Sequence, residues 1–147
     1  MISVKLKIVP VSNQWLIYQK DGDQAAIGRI RATPNSIIFL LNDTKAQLDA
    51  REMDDKILFK ITSNGTVLKS SYFKNRNNIF LKWQTSEQKP KLLKCFAKYS
   101  RNYLTYNDTK LATTIPVTDK THIMEFQTSA DFSPIVLLAS LFPFIGN

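Results

Sequence analysis

From Ile135 to Ile145 the chain reads Ile-Val-Leu-Leu-Ala-Ser-Leu-Phe-Pro-Phe-Ile, an apolar run of eleven residues with no charge in it. A membrane span needs about 20 such residues, so this run is too short to cross a bilayer. It has no basic or polar face either, which argues against an interfacial anchor. The residues before it signal a helix start. Ser133-Pro134 places an N-cap residue before a proline at the first helical position, where a missing N–H does no harm. Asp131 lies near the positive end of the helix dipole. Pro143 and Gly146 mark where the helix stops. A helix that is apolar on every face has to be buried on every side. With its side chains it is about 10 Å wide, and no flat sheet covers that circumference. The rest of the chain must therefore wrap around it.

The rest has the pattern to do so. Ile2, Val4, Leu6 and Ile8 alternate with Ser3, Lys5 and Lys7; Ile57, Phe59 and Ile61 recur at the same spacing, as do Ile79, Leu81 and Trp83. Period two buries one face of a strand and wets the other. Turn signals separate the runs: Asp21-Gly22, Pro34-Asn35, Asn42-Asp43, Asn64-Gly65, Asn75 to Asn78, Lys89-Pro90, Asn107-Asp108 and Asp119-Lys120. Asn64-Gly65 is the strongest short hairpin signal among them. The runs amount to about twelve strands joined by short turns, which calls for an antiparallel meander. A barrel of that strand number is wide enough to hold a helix on its axis, and closure removes the sheet edges. The expected fold is thus all-β with one buried helix: an antiparallel barrel of about twelve strands enclosing a hydrophobic C-terminal α-helix. No linker or composition break divides the 147 residues, so one domain covering 1–147 is expected.

Twelve strands followed by Asp131-Phe132-Ser133-Pro134-Ile135-Val136-Leu137-Leu138-Ala139-Ser140-Leu141-Phe142 resemble the tubby C-terminal domain superfamily. That group includes the plant LURP-one-related proteins and the phospholipid scramblases, and its fold is a twelve-stranded barrel around a hydrophobic helix. The chain is short for the group and suits a minimal bacterial version. Tubby proteins bind phosphoinositide head groups through lysine and arginine on adjacent strands, so the resemblance implies binding to anionic lipid. No tubby head-group residue maps onto a position here one by one. The cysteine cluster and membrane-inserting segment of scramblases are missing from the sequence, which speaks against scrambling.

Charge is distributed in a way that fits this. The net charge is +8, and the segment from Lys69 to Arg101 carries nine basic residues against the single acid Glu87. The remaining eleven basic and eleven acidic residues balance. Lys69, Lys82, Lys94, Lys98 and Arg101 are the candidate anion- and lipid-binding residues. With Ile79, Leu81 and Trp83 inward, Lys82 faces out; with Leu93, Cys95 and Ala97 inward, Lys94, Phe96 and Lys98 face out. Adjacent strands place such lysines in one cationic patch that attracts phosphate. The plainer reading is a solvated face, where lysine discourages edge-to-edge aggregation. Aromatic residues interleave with the basic ones: Tyr72, Phe73, Phe80, Phe96, Tyr99, Tyr103 and Tyr106. These would stack on bases in a nucleic-acid binder, but filling the core or covering strand neighbours is the expected role, and nucleic acid is an unlikely partner.

No catalytic residue, metal site or cofactor is expected. His122 is the only histidine and Cys95 the only cysteine, too few for a zinc site. No nucleophile-elbow or cysteine-protease signature surrounds either one. Asp49, Glu52, Asp54 and Asp55 cluster at a turn without the ligand spacing or glycine of a calcium loop. Gly28 stands alone in a strand and marks a bulge or a close contact. The sequons at Asn42, Asn64 and Asn107 fall on predicted turns. A lone cysteine and an N-terminus without a signal-peptide pattern lead to the expectation of a cytoplasmic protein, at most peripheral to a membrane, with no transmembrane segment. The leading expectation is a non-enzymatic module contacting anionic phospholipid head groups. A protein-interaction or scaffold domain without a small ligand is the alternative.

Overall fold

The computed structural model describes residues 2–20, 25–73, 78–85, 89–118, 121–128 and 132–144. Among them twelve strands occur: β1 (Ile2–Val11), β2 (Gln14–Gln19), β3 (Gly28–Ala32), β4 (Ile37–Leu41), β5 (Thr44–Met53), β6 (Lys56–Ser63), β7 (Thr66–Phe73), β8 (Asn78–Thr85), β9 (Lys91–Lys98), β10 (Arg101–Tyr106), β11 (Thr109–Thr118) and β12 (Thr121–Thr128). Each pairs antiparallel with the next, and β12 pairs back onto β1 from Ile2↔Thr128 to Ile8↔His122, which closes the barrel. The turns Asp21-Gly22 and Asp119-Lys120, most of Asn75 to Asn78, and Lys74, Arg76, Glu87, Asp131, Ile145 and Gly146 lie outside the described residues.

Alternation along the strands does what period two demands. Leu6, Ile8, Ile17, Ile30, Phe39, Leu48, Ile61, Leu68, Leu81, Leu93, Leu104 and Phe126 are buried side by side around the inner wall. The helix α1 (Pro134–Leu141) lies within that wall, followed by a 3-10 turn, Phe142–Phe144. From Ile135 to Leu141 every residue is exposed by 1% or less. α1 touches β4, β5 and β6 on one side and β10, β11 and β12 on the other, so the barrel encloses it. The expectation of a strand-wrapped apolar helix is met.

Its ends are built differently from a side-chain-capped helix. Ser133 is the N-cap and Pro134 follows it, but the Ser133 side chain makes no capping bond. Its carbonyl instead accepts the amides of Val136 and Leu137, each at 3.1 Å. Ser140, fully buried, satisfies its hydroxyl by donating it to the Val136 carbonyl at 2.7 Å. Aromatic rings plug both openings. Phe132 meets Trp83 edge-on at 4.9 Å and Tyr106 at 5.5 Å, where the chain enters from β12. Phe142 meets Trp15 at 5.6 Å and Phe39 at 5.4 Å toward the opposite end. Such edge-to-face pairs add to the area that the rings bury. The end where Phe132 enters, which holds the turns at Asn42, Asn64 and Asn107, is the entry rim; the end that holds the turns at Ser12, Asp54 and Tyr99 is the far rim.

Two glycines have steric reasons. A Cβ at Gly28 would collide with the carbonyl of Leu40 and lie 3.1 Å from the Leu41 Cα, so β3 and β4 approach too closely there for any side chain. Gly65 has φ +80° beside Asn64 at +44°, the pair of positive values a type I′ turn requires.

Because α1 fills the interior at close packing, removing part of it leaves a void that rigid strands cannot close. Leu138→Ala is expected to lose about 2–5 kcal/mol of stability in urea or guanidinium unfolding. A loss below about 1 kcal/mol would mean that Leu138 is not enclosed as described.

Candidate anion-binding wall

The outer surface of β5 to β9 carries one lateral row set by strand register. Asp49 lies opposite Lys60, Lys60 opposite Lys69, Lys69 opposite Lys82, and Lys82 opposite Leu92. Three lysines thus stand on three neighbouring strands, about 4.8 Å apart at their backbones. All three are exposed. Like charges directly opposite one another destabilise a sheet. Among the described residues, none of the three is ion-paired with a carboxylate. Asp49, at the end of the row, is engaged by the Gln47 amide, whose Nε2 donates to its two carboxylate oxygens at 3.0 and 3.3 Å.

Next to the row the wall is hollow. The β7–β8 ladder ends at Lys69↔Lys82, and beyond it the Ser70 hydroxyl reaches across to the Phe80 carbonyl at 2.8 Å. Ser70 and Ser71 are small, and their neighbours Leu58, Phe80 and Leu92 are large, so the surface sinks between them into an open depression of about 690 Å³. Arg51, Lys60, Lys69 and Lys82 border it. Phe80 and Leu92 are exposed beside it. The arrangement is three cations in a fixed line next to an apolar hollow, which suits an anion attached to an apolar body.

The five residues singled out from sequence do not form one patch. Lys69 and Lys82 are adjacent across strands, as a patch requires. Lys94 sits opposite Phe80 and Thr105, with its Nζ 5.2 Å from the centre of the Phe96 ring. Lys98 and Arg101 face each other at the end of the β9–β10 hairpin. Six residues separate Leu92, in the lysine row, from Lys98, or about 20 Å along a strand. Ala97 is exposed where an inward position was expected, because β9 has by then passed beyond the packed interior.

Charge patterning does not point to Lys60, because it lies in the charge-balanced part of the chain. The signal was present: a two-residue turn at Asn64-Gly65 pairs Ser63 with Thr66, and counting back pairs Lys60 with Lys69. The Lys69–Lys82 pairing cannot be counted, since the sequence between β7 and β8 has no Asn-Gly or similar two-residue turn signal. Tyr99 was expected to pack against neighbours; it is instead 83% exposed at a turn tip.

The residues with nucleophile or base chemistry are placed elsewhere. Cys95 is buried between Ile79 and Leu104, and burial pushes its thiol up to about 12, the wrong direction for a nucleophile. His122 lies opposite Ile8 and Pro116 on β12. Desolvation lowers its pKa, and its Nδ1 is buried without a hydrogen-bond partner among the described residues. Among the described residues no three His, Cys, Asp or Glu side chains converge as metal ligands.

Two outcomes follow from this electrostatics. Lys69→Gln removes the central charge of the row and is expected to raise stability by about 0.2–1 kcal/mol at low salt. The gain should shrink at 0.5 M salt, where screening weakens the repulsion; a loss at low salt would show that the row is not repulsive. For His122 the unfolded chain takes up a proton below its ordinary pKa while the folded ring resists it. Its contribution to folding is therefore present above that pKa and declines as pH falls through it. Unfolding midpoints at pH 5 and 7.5 should converge in His122→Gln relative to the unaltered protein.

No family model, curated protein or solved structure matches the chain.

Proposed function

We propose that the chain is a non-enzymatic, tubby-like binding module whose basic outer wall contacts anionic phospholipid head groups. The observation that carries this reading is the row Lys60–Lys69–Lys82, which has no ion-paired carboxylate among the described residues. It opposes folding in the free protein, and an anion laid along it removes the repulsion. Each lysine near an anionic membrane contributes about 1 kcal/mol, so the row contributes about 3 kcal/mol in total, enough for reversible and salt-sensitive attachment. The adjacent hollow gives the apolar part of a lipid a place to rest. No helix among the described residues is long and apolar enough to cross a membrane, so on this reading attachment is through the protein's surface.

The test is co-sedimentation with vesicles of phosphatidylcholine alone and of phosphatidylcholine with phosphatidylserine. Binding is expected only to the anionic vesicles and should fall as salt rises. The triple variant Lys60→Glu, Lys69→Glu, Lys82→Glu should bind at least about a hundredfold more weakly. Equal binding by that variant and the unaltered protein would refute the assignment of the wall.

A further inference from the structure

Five of the seven large apolar side chains exposed among the described residues gather at the far rim: Val11, Met53, Phe73, Tyr99 and Val117. Scattered exposed apolar residues are ordinary, but this concentration at one end is not. Strand order arranges four of them in sequence around the rim. Phe73 ends β7, Tyr99 tips the β9–β10 hairpin, Val117 approaches the end of β11, and Val11 ends β1. Along this arc the described residues include no acid, and Lys98 and Arg101 stand beside Tyr99. Among the described residues the acids of the far rim are Glu52, Asp54 and Asp55, at the β5–β6 turn with Met53.

Tyr99 is the central feature of the arc. Its φ is +52° and that of Ser100 is +63°. The other non-glycine residues with positive φ are serine, asparagine or aspartate, types that tolerate the left-handed region. A bulky tyrosine in that conformation is strained, and the ring it carries stands in solvent instead of the core. The Lys98 ammonium lies over the ring at 5.2 Å, and the Lys56 ammonium lies over Phe73 at 5.1 Å. An apolar ring with a cation at its edge is the side-chain pairing suited to a bilayer interface, with the ring in the acyl boundary and the cation among the phosphates.

We propose that this arc of the far rim, Phe73–Tyr99–Val117–Val11, dips into an anionic membrane surface and orients the barrel with its far end down. The proposal takes its partner from the lipid reading above and adds an apolar contact to it. The distances agree. Lys69 is four residues from Phe73, about 13 Å along β7 and about 10 Å along the axis of a barrel with tilted strands. Interfacial side chains penetrate about 5–10 Å. With the arc inserted, the Lys60–Lys69–Lys82 row stands at the height of the lipid phosphates, and Lys56 stands in register between Phe73 and the acidic β5–β6 turn.

The experiment places an environment-sensitive fluorophore at Tyr99→Cys and, as a control on the entry rim, at Asp108→Cys. Buried Cys95, with its thiol pushed up to about 12, does not compete for label. On addition of phosphatidylcholine–phosphatidylserine vesicles the Tyr99 label should shift to the blue and be quenched by spin-labelled acyl chains, and the Asp108 label should not. A Tyr99→Asn variant tests the contact without a label. Its thermal midpoint should equal or exceed that of the unaltered protein, because asparagine accepts the positive φ, while vesicle affinity falls about tenfold. Binding to anionic vesicles with the Tyr99 label still in water, or with full affinity in Tyr99→Asn, overturns the arc and leaves the lysine wall standing. Binding to neutral vesicles with the Tyr99 label buried supports the arc and overturns the wall. Absence of binding to any vesicle overturns both.

Discussion

A helix with no polar face is the constraint on which the rest of this structure depends. Water cannot be allowed to reach any side of α1, and a barrel closed by β1 and β12 is the arrangement that denies it. Closure settles two further questions at once. It leaves no unpaired sheet edge, and it fills the interior with protein. Edge-to-face ring contacts of Phe132 and Phe142 close the two ends. Among the described residues the enclosed helix takes up the interior, so the outer wall and the rims are the surfaces left for binding.

That consequence gives weight to the outer wall. A protein that needs only solubility spreads its charges and mixes their signs. Here three lysines stand shoulder to shoulder across β6, β7 and β8 beside an apolar hollow, and no carboxylate is ion-paired with them among the described residues. The far rim departs from solubility in a second way, since an exposed tyrosine occupies a backbone conformation that suits asparagine. Both features oppose folding slightly and neither repairs anything inside the barrel. On the proposed reading, one partner accounts for both: a surface that is anionic at one depth and apolar just below it.

Much of this architecture was readable in the amino-acid order. The Ile135–Leu141 run announced its own burial, and alternation at Leu6, Ile61 or Leu93 marked the inner wall, because side-chain direction along a strand has a fixed period. Half of the site was readable too. The Asn64-Gly65 turn fixes the register of its hairpin, so the Lys60–Lys69 pair follows by counting. The break between β9 and β10 was readable, but its left-handed conformation was not, because Tyr99-Ser100 contains neither glycine nor asparagine.

The sequence alone determined the inward face of most strands, Ala97 excepted, and that a helix must be enclosed, since both follow from local periodicity and from the solubility of side chains. The tertiary structure alone decided which lysine faces which across β7 and β8, where the wall sinks, and which hairpin ends share a rim with Tyr99. Those are relations between strands. They depend on register and closure, which are set only when the barrel packs around its helix.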